Sequence, residues 1–245
     1  ELPRAAPDAL EHGLFLLREI AGRLTIPAEL LEIERGVVLA EARQREGPGR
    51  RAFAESLAFL LPESGLAERL PIGDPEVVAR ADRPLVEGFY RRWYRPERMV
   101  VAVAGSVEPG EVGERIARLF ADLEAEGPAP QEPVPPPLAE RGLELALRIE
   151  PGLPAAVSVA FRHPADLRPE GLEVRRDGLI EGVALRALGE RLSRLAASSD
   201  PDLTGPRVGI DAWDRVARLV RLRAGIEPER AEAALRTLGR EVARL

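Results

Sequence analysis

The sequence predicts two α+β domains joined by a proline-rich linker, and three observations carry that reading. Helix-like and strand-like segments mix in each half of the chain. The stretch EAEGPAPQEPVPPPLAERG between the halves is dense in Pro and poor in hydrophobes. A length of 245 residues suits one large domain or two modest ones. The boundaries that follow are 1–124 for the first domain, 125–138 for the linker and 139–245 for the second.

In the first half, Leu10, Leu14, Leu17, Ile20, Ala21 and Leu24 recur at helical spacing, which predicts a helix over 8–24. Asp8 is its expected N-cap, with Glu11 as capping-box partner. Pro27 opens a second helix, which stops near Gly47-Pro48-Gly49. A short third helix covers 53–61. Asp74-Pro75 and Asp82-x-Pro84 each cap a further helix. MVVAVAGSV, Met99 to Val107, is a short β-branched apolar run and predicts a buried strand. Val112, Ile116, Leu119 and Phe120 mark an amphipathic helix over 109–123.

In the second half, LELALRIE (143–150) alternates like a strand, and AAVSVAFRHP follows it as another. Residues 171–197 read as a helix. RVGIDAWDR and VARLVRLRAGI read as a strand pair, and 228–245 as a closing helix with no C-cap. Together with the abrupt start, this leads to the expectation that both domains are truncated.

Composition excludes several functions. Every basic residue is Arg, and the Arg residues are interleaved with Asp and Glu at a net charge of -6, so no basic stripe for nucleic acid is present. The absence of Cys removes disulfides, thiolate zinc sites and thiol catalysis. No apolar run reaches the ~18 residues of a membrane span. The opening ELPRAAPDALEHG has no signal-peptide core.

The segment ERGVVLAE carries the main functional signal. Glu34 and Glu41 stand seven residues apart, close to two helical turns, so both lie on one face. Val37, Val38 and Leu39 between them point to partial burial, and a buried carboxylate requires a partner or a cation. Two Glu at this spacing also occur on ordinary solvated helix faces.

Downstream come ERLPIGDPEVV, then FYRRWYRPERMVVAVAGSVEP, then a helix ending RLFADL. This order resembles the pitrilysin/insulinase family of inverted-zincin metallopeptidases, closely over 1–124 and more loosely over 138–245. The resemblance implies two related mixed α/β domains: the C-terminal part of a zinc-site domain, then the N-terminal part of an inactive second domain. In that family, zinc is held by the two His of an H-x-x-E-H helix and one Glu of a later helix, and the motif's Glu is the general base. Matched helix to helix, Glu41 takes the place of the third zinc ligand and Glu34 that of a supporting carboxylate.

The departure from the family lies in the histidines. His12 and His163 are the only two, and neither belongs to H-x-x-E-H. Zinc catalysis needs three protein ligands and an open position. The resemblance therefore implies a zinc metalloendopeptidase in the intact protein. This chain alone is expected to hold no catalytic residue, to retain no zinc and to be inactive. The alternative is a non-catalytic partner or scaffold of the same family. The expected partners are a peptide or unfolded polypeptide and, in the second reading, a homo- or hetero-oligomeric family member. No nucleic acid is expected, and the compartment leans to the bacterial periplasm.

Other motifs have plainer readings. Phe89, Tyr90, Trp93 and Tyr94 fit helix packing against the 99–107 strand better than a cleft wall. Arg221 and Arg223 match no family role. Ser193, Ser198 and Ser199 have no His nearby in sequence.

Overall fold

A computed structural model describes residues 8–213 and 215–244. The opening residues 1–7, Asp214 and the predicted helix end at Leu245 lie outside them. Among the described residues there are eight α-helices and three strands: α1 (Ala9–Gly22), α2 (Ala28–Arg45), α3 (Pro48–Leu60), α4 (Pro75–Arg80), α5 (Arg83–Trp93), α6 (Pro109–Phe120), β1 (Ala156–Pro164), α7 (Leu172–Ala196), β2 (Thr204–Trp213), β3 (Ala217–Gly225) and α8 (Ala231–Val242). They form two compact units, one of residues 1–44 and 72–133, the other of 45–71 and 134–245.

The first unit is helical. Asp74 accepts the Glu76 N–H at the head of α4, and Asp82 accepts the Leu85 N–H at the head of α5, as the Asp-Pro pattern predicts. At α1 the expected capping box does not form, and Asp8 makes no side-chain cap. α1 packs on α6, and Leu14, Ala21 and Val112 are buried. Arg18, itself buried, donates two hydrogen bonds to Asp122 Oδ1 at 3.0 and 2.7 Å, while Arg23 reaches Oδ2 at 2.6 Å. That fork ties α1 to the end of α6. Tyr90 of α5 donates to the Ile20 carbonyl at 2.7 Å and accepts from the Leu24 N–H at 3.3 Å. Arg98 and Arg92 stack on the Trp93 ring. Thus Tyr90 docks on the end of α1 rather than on a strand.

The 99–107 strand does not form, and this corrects the sequence reading. Among the described residues the first unit contains no strand, so the apolar run has no neighbour to complete a ladder. Val100 is 91% exposed.

The second unit is built on an antiparallel sheet of order β1-β3-β2. Two of its strands form a hairpin through Trp213 and Val216, and β1 pairs along β3 from Ala156↔Gly225 to Pro164↔Ala217. One face carries Val157, Leu222 and Ala224 into a core with Leu188 and Leu192 of α7 and Ala234 and Leu238 of α8. The other face is covered at one end only. There Ala217 and Leu219 meet Leu57, Leu61 and Leu70, which come from α3 and the turns after it. β3 is therefore buried on opposite faces at its two ends, with Ala217 and Leu219 in one core and Leu222 and Ala224 in the other.

The second expected strand, 143–150, is also absent. Its residues form no strand and pair with none among the described residues. Arg148 donates to the Ala52 carbonyl at 3.0 Å, Arg51 donates to Glu150 at 2.6 Å, and Arg141 donates to the Phe59 carbonyl at 2.7 Å. These contacts fasten the segment to α3. Leu143, Leu145, Leu147 and Ile149, the alternate residues, all point to solvent.

At the start of α7, Arg168 bridges Asp166 at 2.8 Å and Asp177 at 3.0 Å. The hydrogen bonds from Arg168 lower the Asp166 carboxyl to about 2. A lowered carboxylate stabilises above its unfolded value of 3.8, and that contribution disappears as pH falls through about 2. We expect a carboxyl titration by NMR to place Asp166 near 2 and Arg168→Gln to return it to the ordinary range. A second expectation concerns packing. Leu222→Ala should cost about 2–5 kcal/mol in urea unfolding, whereas Leu145→Ala should change stability by less than about 0.5 kcal/mol.

Candidate metal site on helix α2

α2 has no buried residue, although it is rich in apolar side chains. At ~100° per residue, Leu30, Ile33, Glu34, Val37 and Glu41 fall within an arc of about 100°. Leu30, Ile33 and Val37 are exposed on that arc, Glu34 is exposed and Glu41 is half-buried. The two carboxylates thus share an open apolar strip, separated by about 10.5 Å of helix rise. Burial between them, which Val37, Val38 and Leu39 suggested, is only partial: Val37 faces solvent, and Val38 and Leu39 are half-buried.

His12 is exposed on α1, and His163 is exposed at the end of β1. His163 borders an apolar pocket of about 180 Å³ with Phe161, Leu185 and Val220. Among the described residues, no group of three His, Cys, Asp or Glu side chains is placed to hold a metal ion. The described residues therefore do not by themselves supply the three ligands that a catalytic zinc needs.

Perturbed ionisation does not point to another centre. The hydrogen bond from Arg18 lowers Asp122, and that from Arg95 lowers Glu97. Arg168 lowers both Asp166 and Asp177. Each is an ion pair holding the scaffold. A cleft of about 420 Å³ is lined by Gly88, Arg91, Arg92, Arg95 and Glu126 with residues of the proline-rich segment. Arg95 is committed there, since it donates to the Glu126 and Gly127 carbonyls at 2.6 and 3.0 Å. Ser193, Ser198 and Ser199 are exposed around the end of α7. Arg221 and Arg223 lie on β3, the first half-buried and the second exposed.

Comparison with known proteins decides the family. The family model described as the peptidase M16 inactive domain matches residues 80–192. A zinc protease PQQL-like protein of Arabidopsis thaliana is 30% identical over 221 residues, covering 89% of this chain and 23% of that protein. A probable zinc protease PqqL of Haemophilus influenzae is 30% identical over 119 residues, 49% of this chain and 12% of that protein. The chain belongs to the pitrilysin/insulinase-like zinc-peptidase family. The fold of this family member agrees. The periplasmic protease PqqL from Escherichia coli superimposes with a TM-score of 0.77 at 21% identity, over 96% of this chain and 26% of that one. The ferredoxin protease FusC, solved in complex with Arabidopsis ferredoxin, gives 0.77 at 22% identity, over 94% and 26%. The chain spans about a quarter or less of the length of these relatives. No helix among the described residues is long and apolar enough to cross a membrane.

The exposed strip on α2 was not legible in the sequence, because its spacing is the same whether a helix face is covered or open. Glu34 is solvent-facing, and we expect Glu34→Gln to shift the urea midpoint of this chain by less than about 0.5 kcal/mol equivalent.

Proposed function

We propose that this chain is part of a zinc metalloendopeptidase acting on peptides or unfolded polypeptides, in which Glu41 is one zinc ligand and Glu34 supports it. Residues 1–124 then belong to the zinc-site domain, 125–138 to a linker and 139–245 to an inactive second domain. The observation that carries this reading is the α2 face, where two carboxylates stand within a strip of exposed Leu30, Ile33 and Val37. An apolar strip of this kind favours being covered. A carboxylate covered with it needs a cation or a hydrogen-bonded partner. The remaining ligands and the general base come from residues outside this chain, so the chain alone does not hydrolyse peptides. The relatives named zinc protease support the metal, and the periplasmic relative of Escherichia coli supports the same compartment.

A second reading is a non-catalytic partner or scaffold of the family, and the match to the inactive-domain model favours it. The whole protein separates the two. For the first reading we expect it to hold zinc and cleave an unfolded polypeptide, with Glu41→Gln abolishing both. Glu34→Gln should weaken zinc binding by about 10–100-fold. Zinc and cleavage unchanged in Glu41→Gln would overturn the ligand assignment. A whole protein with neither zinc nor cleavage would establish the scaffold reading.

A further inference from the structure

The sheet carries an arginine cluster that neither the fold nor the α2 carboxylates use. Arg207 of β2 stands directly opposite Arg223 of β3, and Ser158 of β1 flanks Arg223 on its other side. One row along, Arg221 sits between Ala160 and Gly209. Directly paired residues of antiparallel strands share a face. Arg207, Arg221 and Arg223 therefore project together, on the face opposite Leu222 and Ala224. A bulge between Thr204 and Arg207, with Gly205 at φ 51°, precedes Arg207 where it meets Arg223.

The cluster is poorly compensated from within. Asp211 approaches Arg221, its Oδ2 lying 3.2 Å from Nε, but the Nε–H makes no hydrogen bond although it is shielded from solvent. No hydrogen bond or ion pair engages Arg207 or Arg223 among the described residues, and both are exposed. Like charges placed directly opposite on a sheet destabilise it. Most other Arg side chains of this chain meet a carboxylate or carbonyl, as Arg18, Arg51, Arg95 and Arg168 do. Ala160 and Gly209 keep the floor beside Arg221 low, and nothing lies within 4 Å of where a Gly209 Cβ would stand.

We propose that this sheet face binds an acidic peptide segment in extended conformation. Arg221 and Arg223 are two residues apart on one strand, about 6.8 Å along it, and Arg207 adds a third guanidinium one strand away, about 4.8 Å across. An extended peptide presents every second side chain on one side with that same ~6.8 Å repeat. Carboxylates at alternate positions therefore match the arginines along β3. Each guanidinium can grip a carboxylate through two parallel N–H donors. A single small anion spans one such contact and cannot follow the repeat. This site needs neither Glu41 nor a metal, so its test is independent of the proposed peptidase activity.

The probe is a fluorescein-labelled octapeptide of alternating Glu and Ser, titrated with the full chain in metal-free low-salt buffer and read by anisotropy. The expected result is saturable binding that weakens about tenfold or more in an Arg207→Gln, Arg223→Gln double variant. An Arg115→Gln, Arg118→Gln variant on α6, which removes the same charge elsewhere, should bind like the parent. The urea midpoint of the first double variant should be unchanged or higher, since a like-charge pair has been relieved. Absence of binding, or equal weakening by both double variants, would overturn the proposal. So would equal affinity for a peptide with its four Glu consecutive, or displacement by inorganic phosphate at equal concentration. Either would mark a simple anion contact instead.

Discussion

The second unit depends on the burial of β3. The strand is sandwiched at one end by Leu57, Leu61 and Leu70 against Ala217 and Leu219, and at the other by α7 and α8 against Leu222 and Ala224. Because the two coverings lie on opposite faces, the register of the sheet is held from both sides. A slip by one residue would turn Leu222 and Leu219 out of their cores together. α3 and the turns after it are drawn into this unit for the same reason. Their leucines complete the face that α7 and α8 leave open. The part of that face left uncovered is where the arginines stand.

The first unit has no comparable strand among its described residues. It holds together through the Arg18–Asp122 fork, the Tyr90 hydrogen bonds and two aspartate-capped helices. Large apolar side chains on α1, α2 and α5 remain exposed, among them Phe15, Leu30, Ile33 and Phe89. The face that carries Glu34 and Glu41 is the chemically informative part of that exposure. In the account proposed here it is one wall of a metal site.

Much of this was legible in the sequence where the signal is local. The caps at Asp74 and Asp82, the α7 periodicity and the β2–β3 hairpin follow from side chains acting on their own neighbourhood. The strands expected at 99–107 and 143–150 follow from apolar patterning just as clear, and they do not form. A strand is a pairwise object: its pattern states which face would be buried, but not that a neighbour is present to hydrogen-bond it. Leu143, Leu145, Leu147 and Ile149 keep the alternation and lack the partner. The same limit applies to the site. ERGVVLAE places two carboxylates on one face, but their ligand role depends on residues that must come from elsewhere. The arginine cluster was invisible because the sequence proposes the strand pair but not its register, and only the register brings Arg207 opposite Arg223.

On the proposed function, this chain supplies one carboxylate ligand and its support, and not a complete zinc site. Elemental analysis of the purified chain after dialysis into metal-free buffer tests it most directly. With a single carboxylate ligand, zinc should stay far below one ion per chain. One zinc per chain surviving dialysis would contradict it, because His12, His163 and carboxylates would then have to converge in a way the described structure does not contain.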